Sequence, residues 1–140
     1  MVFFSMTQFS IGQLAKRANC KVETVHYYEK SGLMPEPPRT VGGHRLYALV
    51  DIKRLHFIRR CRELGFSIVQ IKELLKFIDE PHHYCGEVKA MAMLQAREMQ
   101  QKIDDLQKLK TALNKMISQC KGTGYSIDDC PIIDALFVKN

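Results

Sequence analysis

The sequence predicts a mainly α-helical protein, in which several short helices are followed by one long helix and a short C-terminal loop and helix. From 86 to 119 no proline occurs, and Gly86 is the one glycine. Apolar residues in this stretch recur at steps of four and three, the spacing of a helix that packs along its length against another helix. They are Ala92, Ala96, Met99, Ile103, Leu106, Leu113 and Ile117.

Two short helices are predicted near the N-terminus. Ser10 is followed three residues later by Gln13, a capping-box pattern that marks a helix start. A second helix is predicted from Val22 to Lys30, and Ser31-Gly32 ends it. Because only residues 19–21 separate the two, they form a helix-turn-helix pattern, whose second helix enters the major groove of DNA.

A hairpin and two further helices are predicted next. The proline-rich run 35–38 excludes a helix, and the glycine pair within 40–47 predicts a tight hairpin with short strand-like arms. The hairpin together with Arg39 is called the wing (residues 39–47). A third helix is predicted over 49–64, and a fourth begins after the cap Ser67 and runs to Phe77. The third helix is expected to turn these residues inward: Leu55, Phe57, Ile58, Cys61 and Leu64.

Charge is unevenly divided along the chain. Residues 1–77 hold 13 Lys/Arg and 6 Asp/Glu, whereas residues 78–140 hold 8 and 9. The excess of positive charge in the first half is expected if that half meets a polyanion such as DNA. A solvated basic surface would give the same counts.

Five cysteines are present, and their spacing suggests metal or redox chemistry in a reducing compartment. Residues 1–6 lack a basic leader and no apolar run reaches membrane-spanning length, so we expect a cytoplasmic protein without a membrane partner. The 34-residue helix would be roughly 50 Å long, which places Cys85 and Cys120 at opposite ends. If two such helices pair antiparallel in a homodimer, Cys85 of one chain lies beside Cys120 and Cys130 of the other, which gives two equivalent three-thiolate sites.

Five motifs in order resemble the MerR family of transcription regulators. They are IGQLA at 11–15, VETVHYYEK at 22–30, GL at 32–33, GHRLY at 43–47 and LGFSI at 64–68. The resemblance implies a homodimer of winged helix-turn-helix domains joined by a long antiparallel coiled coil, and a regulator rather than an enzyme. It also implies that the dimer binds double-stranded promoter DNA with an overlong spacer, together with RNA polymerase. Binding of an effector then distorts the DNA and activates transcription.

The resemblance also implies which residues face DNA. By motif position, they are Thr24, His26 and Tyr28 on the second helix, Arg39, His44, Arg45 and Tyr47 in the wing, and Arg62 on the third helix. Position 26 is usually arginine in the family and position 44 is usually aromatic, so this chain departs from the pattern twice. Arginine and tyrosine suit phosphate oxygens. We expect Tyr27 to pack in the core and Tyr28 to contact DNA.

Cys85, Cys120 and Cys130 are similar to the three-thiolate set of family members that sense soft divalent metals. Three thiolates without histidine favour mercury, Hg(II), followed by cadmium, Cd(II), and lead, Pb(II). Zinc, Zn(II), is possible but prefers four ligands. The run DCPII at 129–133 resembles the mercury-responsive branch, whereas Cys20 and CGEV at 85–88 resemble the cadmium- and lead-responsive branch.

Other interpretations stay open. Cys61 is expected in the core, Cys20 is expected to pack, and His82 and His83 are expected to be solvated or to support the metal ligands. The main alternative is a thiol-based redox-sensing DNA-binding regulator. A cysteine enzyme, a metal carrier or an architectural protein with structural zinc are the others considered.

Together these features predict three segments. Residues 9–78 form a winged helix-turn-helix DNA-binding domain, and residues 79–119 form a linker and a dimerisation helix. Residues 120–140 form a metal-binding loop and a C-terminal helix.

Overall fold

A computed structural model of the protein describes residues 8–137, and its regular structure is helical. Within that range the elements are α1 Ile11–Arg17, α2 Val22–Lys30, α3 Leu49–Glu63, α4 Ile68–Asp79, α5 Cys85–Gln119, a 3-10 helix Ile127–Asp129 and α6 Pro131–Phe137. The prediction of a mainly α-helical chain with a helix-turn-helix and one long helix is confirmed. The described residues do not include residues 1–6, where no leader is expected. They also do not include residues 138–140, the end of the predicted third segment.

The chain forms two compact units, one up to Ala90 and one from Met91. The segment boundaries predicted at 78 and 119 stay predictions. No helix in residues 8–137 combines the length and the apolar character that crossing a bilayer requires.

The helix-turn-helix of the first unit begins at a capping box. The backbone N–H of Ser10 donates to Oε1 of Gln13 at 2.9 Å, and the N–H of Gln13 donates to Oγ of Ser10 at 3.2 Å. These bonds satisfy N–H groups that have no partner inside the helix. The turn that follows places Asn19 at φ 56°, in the left-handed region that asparagine tolerates. The predicted short turn between two helices is confirmed.

The core of this unit is built from all four of its complete helices. α1 contributes Leu14, α2 contributes Val25, α3 contributes Leu55 and Ile58, and α4 contributes Ile71, and all of them are fully buried. Cys61 is buried among them, as expected.

Leu64 was wrongly expected in this core, and Phe57 of α3 is only partly buried. Leu64 is 51% exposed because α3 ends at Glu63, and Gly65, at φ 85°, turns the chain so that Phe66 is buried instead. Phe57 is half-buried because it lies about 100° around the helix from Ile58, at the edge of the buried face.

The wing is a tight turn without regular strands. The N–H of Thr40 donates to the carbonyl of His44 at 2.7 Å, and Gly43 turns the chain at φ 83°. The expected hairpin is therefore present, but its strand-like arms are reduced to isolated bridges, including one between Arg39 and Arg45. Prolines explain the difference, because Pro38 and the proline before it have no N–H to donate to a ladder.

The second unit contains most of α5 and the C-terminal elements. Ile103, Leu106, Leu113 and Ile117, four of the regularly spaced apolar residues of α5, are each more than half exposed in the single chain. After α5, Ser126 caps the 3-10 helix by accepting the N–H of Asp128 at 3.2 Å.

The C-terminal helix α6 begins at Pro131, whose fixed φ suits the first helical position. The structure therefore contains a C-terminal helix within residues 120–140, as predicted. Ile132 and Ile133 are half-buried, but Leu136 and Phe137 are exposed. The apolar side of α6 is therefore partly buried in its first turn and exposed in its last.

Replacement of Ser67 by alanine should destabilise the first unit by about 1 kcal/mol, the usual effect of losing an N-cap side chain. Ser67 accepts the N–H of Gln70 at 3.1 Å, and its own N–H donates to Oε1 of Gln70 at 2.8 Å. Urea unfolding measures the loss. Ser118→Ala is the control, since Ser118 is exposed near the end of α5 and alanine is favourable in a helix. An equal loss in both variants would contradict a capping role for Ser67.

Candidate DNA-binding surface and metal site

Glu29 joins the second helix of the helix-turn-helix to the wing. Its Oε1 accepts a hydrogen bond from the hydroxyl of Tyr47 at 2.5 Å, and its Oε2 accepts one from the guanidinium of Arg45. The side chain of Glu29 is only 10% exposed. Because a buried carboxylate is costly without partners, this pair of contacts holds the wing against α2.

The same contacts bring two predicted DNA-binding residues together. Nη1 of Arg45 lies 3.2 Å from Nδ1 of His26, and it is the same nitrogen that donates to Glu29. Arg45 is therefore oriented by α2, although it belongs to the wing. His26 and Thr24 are half-exposed on α2.

Tyr47 is part of the packing beneath this surface. The residue is 1% exposed. Burial and, after it, the hydrogen bond to Glu29 raise the pKa of Tyr47 from 10 to about 12. Both causes favour the neutral phenol, which keeps its proton to donate to the carboxylate.

The tyrosines differ from the sequence expectation. Tyr27 was expected in the core and that is wrong, because it is 52% exposed, whereas Tyr28 is 6% exposed. Tyr28 lies three residues after the buried Val25 on the same face of α2, and Tyr27 lies on another face. The DNA contacts of Tyr28 and Tyr47 stay predictions, and the burial of both side chains in the single chain argues against them.

The other predicted DNA-binding residues are exposed. Nη1 of Arg39 donates to the carbonyl of Gly43 at 3.0 Å, and the N–H of His44 donates to Oγ1 of Thr40 at 3.1 Å, so both residues are anchored to the turn of the wing. Arg62 is exposed near the end of α3, where its Nη1 donates to the carbonyl of Phe66 at 3.1 Å.

Sequence reasoning missed Glu29 and gave Tyr27 the wrong environment. An acidic residue inside a helix that is expected to face DNA was the available signal for Glu29. A carboxylate there repels phosphate unless it is engaged within the protein. For the adjacent tyrosines, the available signal was the three-residue spacing from Val22 to Val25 to Tyr28, which places Tyr28 on the apolar face of α2.

Two thiols lie in the C-terminal loop on one cavity of about 380 Å³. Cys120 and Cys130, both half-buried, line this cavity together with Tyr125 and Lys121. The ammonium of Lys121 lies 5.6 Å from the ring centroid of Tyr125, within the range of a cation–π contact. The structure thus brings together two of the three predicted metal ligands.

The third predicted ligand belongs to the other unit. Cys85 is exposed and is the first residue of α5. Among residues 8–137 of one chain, no group of three His, Cys, Asp or Glu side chains is arranged to hold a metal ion. A three-thiolate site therefore requires a ligand that this loop does not supply.

The remaining cysteines lie in less reactive environments. Burial raises the pKa of the Cys61 thiol and of the Cys20 thiol, although Arg59 partly offsets the effect at Cys20. A thiol with a raised pKa is protonated near neutral pH and is a poor nucleophile and metal ligand.

Comparison with known protein families decides the classification. The model for MerR HTH family regulatory proteins matches residues 9–78, and a second model, described as MerR, DNA binding, matches residues 52–116. The chain belongs to the MerR family. This MerR-family protein is thus related to transcriptional regulators and not to enzymes.

Three relatives are similar over nearly their whole length. The HTH-type transcriptional regulator ZntR of Escherichia coli is 42% identical, with 91% of this chain and 92% of ZntR covered. The mercuric resistance operon regulatory protein of Bacillus cereus is 38% identical, with 94% and 99% covered. The crystal structure of the transcription regulator PbrR691 from Ralstonia metallidurans in complex with lead(II) has a TM-score of 0.82 at 38% identity, with 91% and 98% covered.

Replacement of Tyr47 by phenylalanine should lower the free energy of unfolding by about 1–2 kcal/mol, because Glu29 loses a hydrogen bond while staying buried. The pKa of Tyr47 is raised in the folded state, so its contribution is full below pH 10 and is lost as the pH rises toward 12. Urea unfolding at pH 7 measures the first effect. Absorbance titration of the phenolate measures the second, because the variant lacks the ionisation near pH 12. Tyr84→Phe, at a residue that is 78% exposed, is the control and should change neither quantity.

Proposed function

We propose that this MerR-family protein is a metal-responsive transcription regulator that binds promoter DNA as a homodimer. The observation that carries the proposal is the pair of thiols, Cys120 and Cys130, on one cavity of the C-terminal loop. Cys85 completes the donor set from the second chain. The relatives support the metal-responsive part, since one is named for mercuric resistance and another was solved with lead(II).

The donor set fits a soft divalent ion. Thiolates are soft ligands, and residues 84–140 contain no histidine that could add a nitrogen ligand. A bound ion would supply attraction between thiolates of the two chains. The effector proposed first is Hg(II), with Cd(II), Pb(II) and Zn(II) as the alternatives that the same experiment compares.

The apolar face of α5 supports the proposed homodimer. Ile103, Leu106, Leu113 and Ile117 are each more than half exposed in the single chain, and full burial of such a side chain stabilises by about 1.5–3 kcal/mol. A second copy running antiparallel offers the same face and the same spacing. This pairing would bring the N-terminal end of α5 from one chain to the C-terminal loop of the other.

The DNA-binding surface consists of α2 and the wing. Thr24 and His26 would meet base edges or phosphates from α2, and Arg39 and His44 would meet the backbone from the wing. Arg45 is oriented between them by Glu29, and Arg62 would add a contact from α3. RNA polymerase at the same promoter is the further partner proposed.

The alternative function is a thiol-based redox sensor. Cys120 and Cys130 line the same cavity and are both free thiols. A disulfide between them would need an oxidant and no metal ion, so oxidant and metal titrations distinguish the two functions.

A mixed dimer tests whether the metal ligands come from two chains. One chain carries Cys85→Ser, and the other carries Cys120→Ser with Cys130→Ser. If the ligands come from both chains, the mixed dimer has one complete site while each parent homodimer has none. If they came from one chain, the mixed dimer would have none. Metal per dimer and the ultraviolet charge-transfer absorbance of metal-bound thiolate are measured under excess small thiol.

The expected result is about one three-thiolate Hg(II) site per mixed dimer, two per wild-type dimer and none in either parent, because Cys120 and Cys130 of the Cys85→Ser parent can offer only two thiolates. The charge-transfer absorbance distinguishes Hg(II) held by three thiolates from Hg(II) held by two. Cys20→Ala is the matched control and should bind as wild type, since Cys20 lies outside the proposed donor set. A mixed dimer without the three-thiolate absorbance would overturn the two-chain site. If the wild type also bound no metal but formed a disulfide under oxidant, the redox alternative would replace the proposal. In-vitro transcription with each of the four metals then identifies the effector.

Replacement of Arg39 by alanine should weaken binding to promoter DNA and binding to unrelated DNA by similar factors. The reason is that a phosphate contact carries no sequence information. The slope of log affinity against log salt concentration should fall by about one. Fluorescence anisotropy across a salt series measures both. Arg97→Ala, on the exposed surface of α5, is the control for a general change in charge. An unchanged slope for Arg39→Ala would remove Arg39 from the DNA contacts.

A further inference from the structure

The junction between α4 and α5 contains a turn that directs one histidine back onto α4. α4 ends at Asp79 and α5 begins at Cys85. Between them His82 adopts φ 74°, in the left-handed region that side chains other than glycine rarely occupy. The ring of His83 then lies against Phe77 of α4, with ring centroids 4.8 Å apart and a tilt of 54°. This is a favourable tilted arrangement of two rings.

Both ring nitrogens of His83 face carboxylates. Nδ1 lies 3.1 Å from Oε2 of Glu87, in the first turn of α5, and Nε2 lies 3.4 Å from Oε2 of Glu80, just after α4. One side chain therefore contacts the end of α4, the linker and the start of α5.

Glu87 also fixes where α5 begins. Its Oε2 accepts the backbone N–H of Tyr84 at 2.9 Å, and Glu87 is the third residue of the helix. This is the half of a capping box in which the third side chain reaches back to the residue before the helix. Cys85 lies between the two bonded residues, so its position is set by the same carboxylate that His83 contacts.

Contacts continue from α4 toward the DNA-binding helix. Asp79 accepts hydrogen bonds from Nη1 of Arg54 at 3.0 and 3.1 Å. Nε of Arg54 donates to the carbonyl of Leu33 at 2.8 Å, three residues after α2 ends at Lys30. A contiguous series of contacts thus runs from Cys85 to the end of α2, within the first unit.

We propose that His83 is a positioning residue that couples the position of Cys85 to α4 and so to the DNA-binding surface. The inference rests on the proposed metal-responsive function and describes how metal binding at that site would change the DNA-binding surface. When Cys85 is drawn toward the thiols of the second chain, the first turn of α5 moves with it. Glu87, His83 and Phe77 transmit that movement to α4. Without the imidazole, Cys85 can still join the donor set, but residues 80–84 absorb the movement.

Three variants separate the two contacts of the ring. His83→Asn keeps an N–H donor near the position of Nδ1 for Glu87 but removes the ring. His83→Phe keeps a ring against Phe77 but removes both hydrogen bonds. His83→Ala removes the ring and both hydrogen bonds. His56→Ala, at an exposed position of α3, is the matched control. Each full-length variant is measured for Hg(II) per dimer, affinity for promoter DNA without metal, thermal midpoint and metal-induced transcription.

The expected result is a separation between binding and response. Metal stoichiometry stays as in the wild type and promoter affinity changes by no more than about twofold in all variants, as for other surface substitutions. Metal-induced transcription falls by about tenfold in His83→Ala, a typical size for a lost coupling between sites. It falls by less in His83→Asn and His83→Phe, each of which keeps one contact. His56→Ala responds as wild type.

Three outcomes overturn the inference, and each is distinguishable. If His83→Ala binds metal and activates transcription as wild type does, the coupling role is wrong. If it loses metal binding along with the response, His83 supports the ligands and does not transmit. If His83→Ala is unfolded, the decision passes to His83→Asn and His83→Phe, and normal activation in both contradicts the role. A wild-type protein that binds no metal overturns the proposed function itself.

Discussion

Glu29 carries a negative charge into the space between α2 and the wing, and the proposed DNA-binding surface depends on the partners that satisfy this charge. A carboxylate with little access to water needs strong donors, and here Arg45 and Tyr47 provide them. Both donors come from the wing, so neutralising the charge also fixes the wing on α2. Backbone hydrogen bonds add to this support: Phe9 pairs with Tyr47, and the N–H of Leu46 donates to the carbonyl of Pro38 at 2.8 Å. The carboxylate of Glu29 would repel DNA if it were free, but here it holds Arg45 and Tyr47 of the wing in place.

The helices could be predicted from the sequence because residues close to each helix end determine where the helix begins and stops. The bounds of α2 agree with the prediction, since the glycine after Ser31 ends it, and the starts of α1 and α4 follow from Ser10 and Ser67 as caps. Which of two adjacent tyrosines is buried was predicted wrongly, although Tyr28 lies three residues after Val25 and therefore on the same face of α2. The two side chains are identical, so only this spacing could decide between them.

The candidate metal site also has one part that the sequence predicts and one part that it does not. Cys120 and Cys130 are ten residues apart, and a short loop with a 3-10 helix is enough to bring both to one cavity. The third ligand of the proposed site would come from a second chain, and its position would depend on how two long helices pair. The spacing of apolar residues along α5 suggests such a pairing, but a single chain does not contain it. In the proposed site, the choice of metal would depend on the distances between sulfur atoms of the two chains, which the same pairing would set.

Pro37 and Pro38, which come directly before the wing, have a consequence for the protein when it is not on DNA. An exposed hairpin with free N–H and C=O groups offers other chains an edge on which to add a strand, and such edges promote aggregation. Pro37 and Pro38 remove two donors from one arm, and the remaining pairing is limited to isolated bridges. Arg39 lies at this edge and is exposed, and its charge repels the same residue of a second copy that approaches edge to edge. The wing can therefore project from the surface without serving as a template for self-association.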